Sequence, residues 1–469
     1  MNATDHAHDL LAAAPCHTVL PAGAGKTEIL ASCCGILAEL GQRTLFLTHT
    51  NAGVEAFRRR LSKLGVDQSA VDVRTIAAWC EAWCRRYPLL AGIPPDIEPD
   101  EYDVYYAGAA LLLEAEAIRR VIRSTWSVVL VDEYQDCNVP QHNAIRALSN
   151  AATTVVVGDP LQSVFNFPGQ PTVGWAQDVA TAFPAYVELP WEPHRWSDSN
   201  PGLGDDLVAI RERLEQHQPI DLTLFKHVSW IPHDNYTRIP TCKKVTDLEG
   251  SALVIHQTRA QAVDIARKCD GKLEALEDLR GSDLATLAVE LDSAPASDRV
   301  GLVFDFAYKC IARLPGGLKD RAELIKAGGT PNYKQTSVLG PVTEAALLCR
   351  DTGSPQDLQR VARAISRFDQ IVIARRELWR DLDRSLTTMI VGKTDNFGEA
   401  ASTVRAETRR HRRISDGVVG TPLLVKGLEF DNVVVVAAEQ LKREQLYVSL
   451  TRGRSSLTVL SATAILNPE

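Results

Sequence analysis

No stretch of the 469-residue chain reaches the ~20 consecutive apolar residues that a membrane-spanning helix needs. The polar, histidine-bearing start MNATDHAHD does not read as a secretory signal. A soluble, cytoplasmic protein that contacts no membrane is the expectation. Cysteines number ten, with Cys33 beside Cys34 and Cys80 near Cys84, but no paired C-x-x-C framework with partnering histidines accompanies them. They read as reduced core thiols, with a zinc site as the alternative. No short-period repeat and no extended low-complexity tract is present. An excess of positive charge is missing too: 51 lysines and arginines against 59 aspartates and glutamates leave a net charge of −8. That balance argues against wholesale coating of nucleic acid, although charge can be concentrated locally. An apolar fraction of 45% is that of a globular protein, and the length corresponds to about two to four domains.

What the chain does have is chemistry at the ends of apolar strands. In SVVLVDEYQDCNVP, residues 127–140, four apolar residues deliver two adjacent acids, Asp132 and Glu133, to one spot. A buried strand commonly ends on one turn residue, so a lone acid there would carry little meaning. At the C-terminal edge of a parallel sheet, one carboxylate can hold Mg²⁺ while the next orients an attacking water, the arrangement that phosphoryl transfer requires. Such a site needs a phosphate cradle, and TVLPAGAGKTEIL, residues 18–30, has the composition of one. The small residues Gly23, Ala24 and Gly25 let backbone N–H groups turn toward phosphate oxygens. Lys26 would reach the β and γ phosphates, Thr27 would ligate Mg²⁺, and the helix that follows adds the positive end of its dipole. Leu20 stands where the strict G-x-x-x-x-G-K-[ST] pattern has glycine. A glycine-rich turn with a surface lysine is the plainer alternative, and the acid pair on a second strand argues against it.

Further along, RTLFLTHT, SVVLVDE, TTVVVGDP, SALVIHQT and DNVVVVAAE are short β-branched runs separated by helical patterns, which predicts an α/β protein with buried parallel sheets. Residues 83–126 and 272–410 lack that strand signal and read mainly as helices, punctuated by GIPPDIEP, LPGG and GGTPNY. They look like insertions into the α/β domains.

The ordered set AGAGKT, LFLTHTNAGVEAFRRRL, VRTIAAWC, VVLVDEYQDCN, VVVGDPLQSVFNFPG, HRWS, LLVKGLEFDNVVVV and LYVSLTRGRSSL spans nearly the whole chain and resembles the UvrD/Rep-type superfamily 1 helicases. The resemblance implies two RecA-like P-loop NTPase domains that clamp ATP and Mg²⁺ and step along single-stranded or tailed DNA, usually 3′ to 5′. The first would comprise residues 1–82 and 127–185, the second 186–271 and 411–469, with helical insertions at 83–126 and 272–410. In size, and in ending just after LYVSLTRGRSSL with no nuclease motif, the chain is also similar to the helicase-like subunit of the Gabija anti-phage system.

By the same resemblance Asp132 binds Mg²⁺ with Thr27, Glu133 positions the water, and Gln162 reports the γ-phosphate. Arg195 and Arg452 would come from the second domain to stabilise transition-state charge, a contribution that reaches ~10³–10⁵ in rate. Glu429 joins the nucleotide set, and Glu28 occupies the position where relatives often carry a base-stacking arginine. The family's adenine-reading glutamine is missing, since residues 1–41 contain no glutamine, and His194 replaces the usual tyrosine before the motif arginine. For DNA the resemblance points to Thr48, His49, Asn51, Thr75, Phe165, Phe167, Thr421 and Lys426, with the two phenylalanines as stacking platforms or, in the plainer reading, core residues. Pro168 replaces a customary arginine, and Ala77 and Leu423 replace customary histidines. Two basic clusters, Arg58–Arg60 and RAETRRHRR ending at Arg413, are candidate phosphate contacts or solvated faces.

Two functional readings stand side by side. One is a DNA-stimulated ATPase that translocates or unwinds, in a repair or anti-phage defence setting. The other is a nucleotide-gated, DNA-sensing component of a complex with a separate nuclease, with little unwinding of its own.

Overall fold

The computed structural model describes residues 2–94, 101–165, 171–277, 281–410 and 414–468. The chain divides into two compact units, the first of residues 1–220, 441–455 and 467–469, the second of residues 221–440 and 456–466.

The first unit is built on a six-stranded sheet of β1 (Cys16–Val19), β2 (Thr44–Thr48), β3 (Val71–Thr75), β4 (Val128–Val131), β5 (Thr153–Gly158) and β6 (Ala185–Tyr186). Their spatial order is β3-β2-β4-β5-β1-β6, and every pairing is parallel. Helices cover both faces, which is why strands such as Val128–Val131 are apolar without interruption. Successive side chains of a strand point to opposite faces, and the two cores separate on that rule. Leu45, Leu47, Val129 and Val131 pack with the helices Ile76–Arg86, Tyr102–Leu112, Glu116–Thr125 and Val139–Ser149. Phe46, Leu130, Val155 and Val157 face α1 (Ala3–Ala13), α2 (Lys26–Glu39) and α3 (Asn51–Lys63) on the other side. Each fully buried aliphatic side chain contributes about 1.5–3 kcal/mol. Residues 83–126, expected as an insertion, share the first of these cores through Tyr105, Ala109 and Ile122.

The second unit holds another six-stranded sheet, in the order Glu274–Ala275, Gly417–Gly420, Ala252–Ile255, Phe430–Val436, Gly453–Ser461 and Val228–Pro232. The pairings of Ala252–Ile255 with both neighbours are parallel, as are those of the two outermost strands with theirs. Between residues 282 and 410 the chain is helical, with a core of its own around Leu291, Phe304, Val361 and Leu382. A two-stranded antiparallel pair, Ile311–Arg313 with Val372–Ile373, interrupts it.

All five apolar runs singled out in the sequence are strands. The expected domain limits and the compact units differ at residues 186–220 and 441–455, which group with the first sheet. The physical reason is polar anchoring. Arg211 of the helix Pro201–Glu215 pairs with Asp159 just past β5, and Trp196 Nε1 and Asn200 Nδ2 donate to the carbonyls of Gly453 and Ser455 at 2.6 and 2.9 Å. All ten cysteines are buried and unpaired. Among the described residues, no helix is long and apolar enough to cross a membrane.

Candidate nucleotide site

Strands β4, β5 and β1 lie side by side, so their C-terminal ends bring three loops together. The loop after β1 is Leu20–Gly25. Gly23 and Gly25 have φ of +77° and +78°, the left-handed region that favours glycine. A Cβ on Gly23 would also stand 2.7 Å from the Trp196 ring. Gly25 caps α2, whose first turn starts with the Glu28 and Ile29 amides donating to the Gly25 carbonyl at 2.9 and 3.0 Å. Leu20 needs no glycine freedom: it continues β1, its amide donating to the Gly158 carbonyl at 3.0 Å and its side chain fully buried. Lys26 Nζ curls back over the loop and donates to the carbonyls of Leu20 and Pro21 at 2.8 and 3.3 Å. Ala24 is buried beneath it, and Thr27 is half-buried in the first turn of α2.

At the end of β4, the Asp132 amide donates to the Leu47 carbonyl at 2.9 Å, and its Oδ1 accepts the Glu133 amide at 2.9 Å. Glu133 itself is left-handed, with φ 55° and ψ 37°, a conformation that costs a non-glycine residue about 1–3 kcal/mol and clusters at functional sites. Gln135 joins this loop to the next one: its Nε2 donates to Glu133 Oε2, and its Oε1 accepts the Asp159 amide at 2.9 Å.

The loop after β5 carries a polar network that extends to the helix Arg443–Leu450. Asp159, fully buried, accepts Gln162 Nε2 at 2.7 Å and both terminal nitrogens of Arg211 at 2.9 Å. Gln162 Oε1 stands 3.4 Å from a terminal nitrogen of Arg452, whose Nε donates to the Val448 carbonyl at 2.8 Å. Arg195 donates to the Thr451 carbonyl at 2.6 Å and lies over the Trp196 ring. Tyr447 stands beneath the phosphate loop, its hydroxyl accepting the Ala22 amide at 3.3 Å and its ring 5.0 Å from the Arg211 guanidinium. Burial, with the Asp159 carboxylate nearby, pushes the Tyr447 hydroxyl up to about 12. Burial opposes the Arg211 charge, but Asp159 and Tyr447 more than offset it and raise its pKa above the usual arginine value. Arg195 and Arg452, expected from the second domain, thus lie in the same compact unit as Lys26, and Arg452 is only 1% exposed.

Several candidates have other duties. Glu28 is ion-paired with Arg60 at 2.6 Å, and Arg58 donates to Glu55 and to the Val73 carbonyl, so the first basic cluster is partly engaged within the fold. In the second cluster Arg405 is buried against Glu377 and Asp381 at 2.9 and 2.7 Å, while residues 411–413 lie outside the described residues. His194 is exposed beside Gly25, the place from which a ring could stack on a base. Thr48 and Thr75 are partners across β2 and β3 with 4% and 8% exposure, and the Thr75 hydroxyl caps the helix Ile76–Arg86, so phosphate contact by their side chains is not supported. His49 Nε2 is 3.6 Å from Cys137 Sγ, Asn51 opens α3 in an exposed position, and Phe165 is half-buried. Phe167 and Pro168 lie outside the described residues. Thr421 and Lys426 flank the short helix Pro422–Val425 and are half-buried, and Glu429 is exposed; all three belong to the second unit. Among the described residues, no three His, Cys, Asp or Glu side chains gather as a metal cluster. Three residues of the network, Asp159, Arg211 and Tyr447, were not singled out from sequence. A signal existed for Arg211, which falls on the apolar stripe of its helix with Leu207 and Leu214, where a charge implies a buried partner.

A phosphate loop, an acid pair and two arginines around the C-terminal ends of a parallel sheet define a P-loop nucleotide-binding protein. Comparison with known proteins narrows the class. Residues 98–171 match the UvrD/REP helicase N-terminal domain family. The chain is 40% identical over 65 residues to the large A component of the ATP-dependent helicase/nuclease of Streptococcus uberis, covering 14% of this chain and 5% of that protein. It is 29% identical over 113 residues to the protein of the same name from Oenococcus oeni, 24% of this chain and 8% of the relative. A stretch of 74 residues is 36% identical to RecB of the RecBCD enzyme of Mycolicibacterium smegmatis, covering 16% and 7% of the two chains. The chain therefore spans less than a tenth of each of these relatives, and what the match supports is a helicase of the UvrD type.

Proposed function

We propose that this chain is an ATP-dependent DNA helicase or translocase of the UvrD/Rep type, moving 3′ to 5′ on single-stranded DNA. Within it, ATP lies on the phosphate loop. The observation that carries the reading is the continuous network from Glu133 through Gln135, Asp159 and Gln162 to Arg452, at the strand ends beside the phosphate loop. Lys26 leaves the Leu20 and Pro21 carbonyls for the β and γ phosphates, and Glu133 aligns the water that attacks the γ-phosphorus. Arg452 and Arg195 face the charge that develops as the terminal bond breaks. Asp132 and Thr27 supply hard oxygen donors suited to Mg²⁺, which would neutralise phosphate charge when bound. Gln162 exchanges its Asp159 partner for the γ-phosphate and so couples the nucleotide's state to the arginines. His49, Asn51, Phe165, Phe167, Thr421 and Lys426 remain the proposed DNA contacts, and Glu429 a proposed nucleotide contact. The four-part division of the chain, in which the second sheet belongs to a second RecA-like domain, is part of the same proposal.

The test is ATP turnover with and without single-stranded DNA, followed by unwinding of a 3′-tailed duplex. DNA-stimulated turnover that Lys26→Ala abolishes, together with strand separation, supports the motor; absence of turnover under both conditions contradicts it. A second reading, a nucleotide-gated component of a nuclease complex in repair or anti-phage defence, draws support from relatives named as parts of a helicase/nuclease and of the RecBCD enzyme. Stimulated turnover without unwinding favours it.

A further inference from the structure

We infer that Arg211 is a positioning residue of the nucleotide site, fixing Asp159 and through it the orientation of the Gln162 amide toward Arg452. The inference rests on the proposed ATPase reading and goes beyond it, since neither Arg211 nor Asp159 has a role in that reading's chemistry.

The geometry is specific. Arg211 is 4% exposed and binds both oxygens of Asp159 in a parallel fork at 2.9 Å, the arrangement that fixes a carboxylate plane as well as its position. Asp159 Oδ2, held in that plane, accepts Gln162 Nε2 at 2.7 Å. An amide has one donor end and one acceptor end, so tying the nitrogen to Asp159 turns Oε1 toward the Arg452 guanidinium, 3.4 Å away. The Arg211 guanidinium also lies over the ring of Tyr447, whose hydroxyl accepts the Ala22 amide of the phosphate loop. One buried cation thereby references two parts of the site, the loop that takes phosphate and the glutamine that faces Arg452. A lysine in its place keeps the charge but loses the fork and the planar contact with the ring.

A purely architectural ion pair predicts something different. In that case Arg211 only pins the helix Pro201–Glu215, and replacing both partners by neutral groups of similar shape restores function along with stability, because no buried charge is left unmatched. In a positioning role, the orientation of Gln162 is lost in the neutral pair as well.

The experiment measures kcat and KM for DNA-stimulated ATP hydrolysis, and thermal midpoints, for the full chain, Arg211→Met, Arg211→Lys and the double variant Arg211→Met with Asp159→Asn. The expected result is a fall in kcat of about 10- to 100-fold in Arg211→Met with KM changed less than about threefold, since the loss concerns alignment rather than binding. Partial recovery is expected in Arg211→Lys. The double variant should regain its thermal midpoint while kcat stays low. The inference is overturned if Arg211→Met turns over like the parent, or if the double variant recovers kcat together with its midpoint. A parent chain without any turnover refutes the proposed function itself, and this inference falls with it, whereas an active parent with an unaffected Arg211→Met removes the inference alone.

Discussion

Gly23 shows how tightly single residues are prescribed around the phosphate loop. It combines φ of +77° with a Trp196 ring that would stand 2.7 Å from any Cβ, so Gly23→Ala is strained in backbone and packing together. A loss of about 1–3 kcal/mol in chemical denaturation is expected, with nucleotide affinity falling as the loop shifts. Glu133→Gln is the opposite kind of change, one that keeps size and hydrogen bonding but removes the charge that orients water. It should bind a fluorescent ATP analogue with near-normal affinity and hydrolyse ATP at least about 100-fold more slowly. Residues of this kind were legible in the sequence because their types are rare in combination: a glycine-lysine-threonine loop and two adjacent acids after an apolar run. Asp159, Arg211 and Tyr447 were not, because their meaning lies in partners far along the chain, as with Arg211 and Asp159. Leu20 read as a defect in the loop motif and turns out to continue β1, its side chain in the core.

Among the elements, the central strands announced themselves and the peripheral ones did not. Val128–Val131, Thr153–Gly158, Ala252–Ile255 and Phe430–Val436 are interior strands of their sheets and apolar on both faces. By contrast β3 alternates buried and half-buried residues at a sheet edge, and Gly453–Ser461 opens with the polar run GRSS, so neither gave the parallel-strand signal. The helical stretch 83–126 was correctly read as helical, but the sequence carried no sign that it shares a core with β2 and β4. Ile122, fully buried in that core, tests the sharing. Ile122→Ala should cost about 2–5 kcal/mol in the cooperative unfolding of the first unit, measured by denaturant titration with hydrogen exchange read at β4. An unaltered β4 protection would mean that the helices unfold apart from the sheet.

For the molecule as a whole, buried histidines make stability depend on pH. His142, hydrogen-bonded to the Tyr134 hydroxyl at 2.9 Å, and His256 both have pKa values lowered below 6.5, chiefly by burial. Below that value the unfolded chain binds protons that the folded one refuses, so this stability is complete above about pH 6.5 and declines as the pH falls below it. Denaturation midpoints measured from about pH 8 to about pH 5 should fall on the acid side, and less steeply in His142→Gln. The account as a whole rests on where a triphosphate binds. A crystal structure with a non-hydrolysable ATP analogue and Mg²⁺ tests this most directly. The expected result is phosphate oxygens within hydrogen-bonding distance of Lys26 Nζ and of the Arg452 guanidinium, with Gln162 turned away from Asp159. An analogue bound elsewhere, or one that leaves Lys26 on the Leu20 carbonyl and Arg452 on Gln162, would contradict it.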